Sequence, residues 1–128
     1  MAVLFLGYAA GKAVFAAQGR LGFPGGPPPA EDYFLDPATA QWLAAASGVL
    51  GAGVAVATLW RAAPRTVLLP ILVGMLLAVL GGAGIMVVDG FVGVGIGWRW
   101  YHGLLGLLAI GLSAAMTRAY WRATTSTA

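Results

Sequence analysis

The chain has 128 residues, of which 60% are hydrophobic and only 9% are charged, and its mean hydropathy is +0.88. Soluble domains carry about a quarter charged residues, so this composition predicts an integral membrane protein. The net charge of +3 comes from too few cations to bind a nucleic acid, and the lack of cysteine excludes disulfides, thiolate metal sites and covalently attached haem.

The first predicted element is an apolar helix over residues 1–18. It has the length of a secretory signal peptide, but it does not begin with basic residues and Lys12 interrupts its apolar core, so we expect a retained helix. A lysine at the centre of a membrane span costs about 2.5–3.5 kcal/mol. Lys12 should therefore either reach the membrane surface or have a polar partner. Tyr8, four residues earlier on the same face, is a candidate neighbour.

An outer loop is predicted over residues 19–36, where prolines and glycines oppose helix formation and acidic residues favour water. The second helix is predicted over residues 37–60. Asp36 can cap this helix and Pro37 suits its first position. Gly48 and Ala52 lie four residues apart on it, which is typical of a face that packs closely against another helix.

The third helix is predicted over residues 64–88, with a bend near Pro70. Gly74, Ala78 and Gly82 follow one another at four-residue intervals, and we expect this stripe to contact another helix. Asp89 comes directly after this predicted helix. The run GVGIG beyond it lacks the preceding threonine and the pore helix of a potassium selectivity filter.

The fourth helix is predicted over residues 98–121 and begins with the sequence WRWYHG. Arg99 and His102 are three residues apart and share a face, which Gly106 continues. Two interpretations stay open. In one, the aromatic rings, which include Trp98 and Trp100, anchor the helix at the membrane surface while the arginine reaches lipid phosphate. In the other, the arginine and the histidine turn inwards.

Basic residues predict the orientation, because basic loops remain in the cytoplasm. Four of them stand at the ends of the second and fourth helices and at the start of the third: Arg61, Arg65, Arg118 and Arg122. Arg20 and Arg99 are exceptions on the opposite side, whose two loops hold every acid. We therefore expect an all-α, multi-pass membrane protein, a single domain over residues 1–128. Its four helices would form an antiparallel bundle with both termini in the cytoplasm.

The inward interpretation predicts one cluster of charged residues at the outer helix ends: Lys12, Asp89, Arg99 and His102, with Tyr8, Trp98 and Trp100 as neighbours. Such a cluster can bind a partner chain or a small molecule. Catalysis would have to use His102, Asp89 and Lys12, and an enzyme is the less favoured reading. A single histidine without a second ligand nearby predicts no metal site, and we expect no cofactor.

Two segments resemble a family of small four-helix bacterial membrane proteins that is catalogued only as a domain of unknown function. They are KAVFAAQGRLGFPGGPPP and RWYHGLLGLLAIGLSAAMTRAYWR, about a third of the chain. The matching positions are Lys12, Phe15, Ala16, Gly19, Arg99, Trp100 and His102, and the tyrosine before His102 departs from the family's pattern. The resemblance implies a four-helix fold in a bacterial inner membrane and no particular activity.

Two functions of different kinds follow from these observations. The favoured one is a non-catalytic bundle that forms a homo-oligomer or joins a larger membrane assembly through its small-residue faces, which include Gly106. The alternative is an outward-facing binder or transporter of a small anionic or polar-headed lipophile, such as a lipid or quinone. Transporters typically show inverted repeats or broken helices, and neither is evident here.

Overall fold

A computed structural model describes residues 1–22, 34–60 and 63–125, which form four helices: α1 (Ala2–Ala17), α2 (Pro37–Trp60), α3 (Arg65–Val92) and α4 (Trp100–Thr125). The all-helical class is confirmed for these residues. By length and composition, α2, α3 and α4 can each cross a membrane. With 16 residues, α1 is a shorter apolar helix. It extends about 24 Å, against about 30 Å for the hydrocarbon core of a bilayer.

The beginning of α2 confirms the predicted cap. The backbone N–H of Thr39 donates to Asp36 Oδ1 at 3.0 Å, and Pro37 is the first helical residue. This bond satisfies one of the N–H groups that the first turn of any helix leaves without an intrahelical partner.

The predicted end of α3 is wrong by four residues, because the helix continues through Asp89 and Gly90 to Val92. It stops at Gly93, whose φ of 78° lies in the left-handed region that favours glycine, and whose N–H donates to the Asp89 carbonyl. Pro70 lies inside the helix without ending it. The other bounds agree to within two residues, except that α4 runs four residues beyond its predicted end at 121.

The first helix pair, α1 and α2, is antiparallel and closely packed. A Cβ added to Gly48 would lie 3.0 Å from both the Cβ of Ala9 and the carbonyl oxygen of Phe5. The buried residues of α2 that are spaced alternately by four and three are Gln41, Ala45, Gly48, Ala52 and Ala55. That spacing is typical of two helices that cross at a small angle with a left-handed twist.

The second helix pair, α3 and α4, packs in the same way. A Cβ added to Gly106 would lie 2.8 Å from the carbonyl oxygen of Ala83, so the two backbones nearly touch. The buried residues of α4 lie along one seam: Gly103, Gly106, Ser113 and Tyr120. Both helix pairs therefore pack closely through small residues.

The two hairpins touch each other much less than their own helices do. Their shared apolar cluster lies near the α2–α3 connection, where Leu68 and Leu72 of α3 pack with Tyr120 of α4 and partly buried Val54 of α2. The described helices thus form two tight hairpins that meet through a small contact.

The stripe of Gly74, Ala78 and Gly82 does not make the expected contact within the described part of the chain. All three residues are exposed, and a Cβ added to either glycine would find nothing within 4 Å. In the most apolar 18-residue stretch of α3, only 11% is buried. Of the three described helices long enough to span a membrane, α3 is therefore both the most apolar and the least buried.

Candidate functional site at the α3–α4 connection

Asp89 lies in the last turn of α3 and is only 2% exposed. Its Oδ1 accepts the backbone N–H of Ile96 at 3.2 Å, and its Oδ2 accepts that of Trp98 at 2.7 Å. A carboxylate is buried only where hydrogen bonds replace its lost water. Both oxygens are therefore used to hold the backbone of the connection between the two helices.

Three glycines give this connection its shape. Gly93, Gly95 and Gly97 have φ angles of 78°, 99° and 95°, which side-chain-bearing residues rarely adopt. They alternate with Val94 and Ile96, and such backbone turns direct successive N–H groups towards an anion. The anion here is the protein's own Asp89.

This role of the GVGIG run was missed from the sequence. The signal that could have revealed it is an acidic residue followed by glycines four, six and eight positions later. Each glycine permits a turn that brings N–H groups back to the carboxylate.

His102 closes the other side of the connection. The backbone N–H of Arg99, which stands just before α4, donates to His102 Nδ1 at 3.0 Å, and the Arg99 carbonyl accepts the N–H groups of His102 and Gly103. A side chain in the first turn that reaches back to the residue before the helix is the reciprocal half of a capping box. Because Nδ1 accepts, a neutral ring carries its proton on Nε2.

The rings and the glycines around this cap are closely packed. The Trp98 ring meets His102 edge-on at 5.0 Å between centroids, and Tyr101 lies 4.3 Å from the same imidazole. A Cβ on Gly90 would lie 2.8 Å from the carbonyl oxygen of Arg99. The last turn of α3, the connection and the first turn of α4 thus form one packed unit, which we call the connection site: Asp89, residues 93–99 and His102.

The structure brings together only some of the predicted site residues. Asp89, Trp98, His102 and the backbone of Arg99 meet in the connection site, but Arg99 itself is exposed. Lys12 and Tyr8 lie on α1, which packs along α2. The Lys12 Nζ lies 5.5 Å from the centre of the Tyr8 ring, as expected for a cation–π pair. Asp89 uses its carboxylate on backbone donors and not on the cations that the sequence suggested. Trp100 is 63% exposed.

An open apolar groove of about 470 Å³ lies beside the connection site. It is lined by Gly81, Gly84, Ile85 and Val88 of α3 and by Val94 and Ile96. The described residues contain no group of three histidine, cysteine, aspartate or glutamate side chains that could hold a metal ion. The chemistry of this region is therefore apolar contact beside a rigid, internally hydrogen-bonded turn.

No family model, curated protein or solved structure matches this chain. The described residues are all-helical, and three of their helices are long and apolar enough to span a membrane, which supports a membrane protein.

Proposed function

We propose that this protein is a non-catalytic, multi-pass protein of the bacterial inner membrane. It assembles with another membrane helix through the outer face of α3, first of all with the same face of a second copy. Both termini lie in the cytoplasm, with the connection site outside.

The observation that carries this proposal is an outward face of small residues on α3. The small residues Gly74, Ala78 and Gly81 are spaced by four and three, and the larger Ile85 and Val88 follow at the same spacing. All five are exposed. A Cβ added to Gly74, Gly81 or Gly82 would find nothing within 4 Å. The seams inside both hairpins have the same spacing.

Contact with lipid alone does not favour small side chains over larger ones on this face. Hydrocarbon tails are as apolar as leucine, so membrane helices associate through close backbone approach, which small residues permit. Inside this chain, Gly48 and Gly106 show such approach to neighbouring helices. An exposed face of the same composition is suited to one more helix.

The orientation rests on charge. In the described chain three arginines stand at one end of the α3–α4 hairpin, Arg65, Arg118 and Arg122, whereas the other end carries one arginine, Arg99, together with Asp89. Short basic segments remain in the cytoplasm, which supports an outer connection site.

The assembly is tested with a single cysteine, because the chain has none of its own. Ala78→Cys on the outer face of α3 should form a disulfide-linked dimer in native membranes under mild oxidation. Gly82→Leu added to it should weaken the dimer at least about tenfold, because a leucine separates backbones that would otherwise touch. The readout is the crosslinked fraction and the size in mild detergent.

Two controls separate assembly from folding. Leu80→Ala removes an exposed side chain, 42% accessible, that lies about 120° around the helix from Gly74 and so outside this face, and should leave the dimer intact. Gly48→Leu should damage the α1–α2 hairpin and lower the thermal midpoint, which Gly82→Leu should not do to the monomer. A wild-type protein that stays monomeric, or a Gly82→Leu variant that dimerises fully, contradicts the proposal.

The second candidate, a binder of a lipophile, is favoured by the groove under Val94 and Ile96, whose lining is almost entirely apolar. The same preparation distinguishes the two candidates. A monomer that retains a quinone or a lipid through purification favours binding, whereas a dimer without a bound small molecule favours assembly.

A further inference from the structure

The end of the α3–α4 hairpin opposite the connection site carries a cationic surface. Arg65 is the first residue of α3, and the central carbon of its guanidinium lies 4.7 Å from the centre of the Trp121 ring of α4. Arg118 is exposed and lies three residues before that tryptophan, on the same face of the helix. We call Arg65, Arg118 and Trp121 the arginine end.

No carboxylate accompanies this surface among the described residues. Their two acidic side chains are Asp36, before α2, and Asp89, which lies about 36 Å away along α3 at about 1.5 Å per residue. Both carboxylates already accept backbone N–H groups. The positive charge of the arginine end is therefore not balanced within the described chain.

The arginine end lies next to buried, packed residues. Tyr120, the residue before Trp121, is 5% exposed and packs with Leu68 and Leu72. Trp121 itself is 50% exposed, and an amphipathic indole ring is favourable at the level of lipid headgroups. A guanidinium that stacks on an aromatic ring keeps its N–H donors in its own plane, where they can meet phosphate oxygens.

We infer that Arg65, Arg118 and Trp121 bind the phosphate of an anionic phospholipid. The positive charge of the surface attracts an anion, and arginine binds phosphate with two parallel hydrogen bonds. A lipid, not free phosphate, fits because exposed apolar residues such as Ala114 and Leu107 continue the face of Arg118 along α4, where acyl chains would lie. This binding is independent of assembly through the outer face of α3.

The test uses the full chain in an uncharged detergent. Phosphatidylglycerol and phosphatidylcholine with identical acyl chains are titrated, and bound lipid is counted by native mass spectrometry. Wild-type protein should bind phosphatidylglycerol more tightly. Arg65→Gln and Arg118→Gln should each lower that affinity about fivefold and leave phosphatidylcholine binding unchanged, because each removes one cation near the lipid surface.

Arg20 provides the matched control. Its guanidinium carbon also lies over an aromatic ring, 5.1 Å from the centre of the Phe15 ring. Arg20 stands just beyond the end of α1 and not at the arginine end. Arg20→Gln should leave phosphatidylglycerol binding at the wild-type level. Thermal midpoints measured without lipid check that every variant is folded. Arg65 and Arg118 are tested separately, so the outcome does not depend on one variant.

Three results would overturn the inference. Equal affinities for the two lipids would show that charge does not select the ligand. An Arg20→Gln effect as large as that of Arg65→Gln would show unspecific attraction. Displacement of the lipid by millimolar inorganic phosphate, with the same dependence on Arg65 and Arg118, would identify a soluble anion as the ligand.

Discussion

The two acidic residues of the described chain perform the same chemistry in different surroundings. Asp36 is exposed and accepts the N–H of Thr39, three residues further along the chain. Asp89 is buried and accepts N–H groups seven and nine residues further along. Neither is paired with a cation in these bonds. Where the carboxylate is exposed, water can replace it as the acceptor of the backbone N–H, whereas at a buried site no water is there to do so.

The difference extends to what each carboxylate holds in place. Asp36 fixes only the start of α2. Asp89 fixes the path of the connection, and that path sets where α4 begins and where His102 meets the Arg99 N–H. A change at Asp36 should therefore remain local, and a change at Asp89 should affect the junction of two helices.

The largest effect is expected for Asp89→Asn. The amide keeps one acceptor oxygen but turns an NH₂ group towards the second backbone N–H, which loses its acceptor in a buried place. The thermal midpoint in detergent, followed by circular dichroism, should fall by several degrees. Asp36→Asn is the matched control and should stay near wild type, because asparagine caps helices as well as aspartate does. Equal midpoints for the two variants would contradict the comparison.

A smaller effect is expected for Gly95→Ala, which leaves Asp89 intact but opposes the turn around it. Gly95 has a φ of 99° and open space around it, so the cost is that of the backbone alone, about 1–2 kcal/mol. The free energy of unfolding measures it. Gly53→Ala is the control, because Gly53 lies in α2 with nothing within 4 Å and no positive φ. A loss at Gly53 as large as that at Gly95 would remove the argument from backbone conformation.

Local signals explain which parts of the fold could be predicted. The start of α2 was found because its cap and its proline adjoin the helix, and apolar length located all four helices. The end of α3 was missed because an Asp-Gly pair is typical of a helix break. The partners that keep Asp89 inside the helix lie seven and nine residues away, and only the turns at three glycines bring them back.

Faces were harder to predict than helices. Gly48 and Gly82 belong to stripes with the same four-residue spacing, yet one touches α1 and the other touches nothing in the described chain. The spacing shows that the residues on a face are small, but the pairing of the helices decides which element that face contacts. The sequence placed His102 at the start of α4, but its partner there is a backbone N–H, which a sequence does not distinguish from any other.

The smallest expected effect is the pH dependence of the α2 cap. Hydrogen bonds to Thr39, first its side chain and then its backbone N–H, hold the pKa of Asp36 below its ordinary value. The folded-state pKa is thus lower than that of the unfolded chain, about 3.9, so the cap contributes fully above that pH and is lost as the pH falls through the folded-state value.

Acid also titrates other groups, so wild type must be compared with Asp36→Asn, whose cap does not titrate. The two midpoints should nearly coincide at neutral pH, and at about pH 3 the variant should be slightly the more stable. If both midpoints fell in parallel over this range, the Asp36 carboxylate would contribute nothing to the acid sensitivity of the protein, and its bond to Thr39 would only mark where α2 begins.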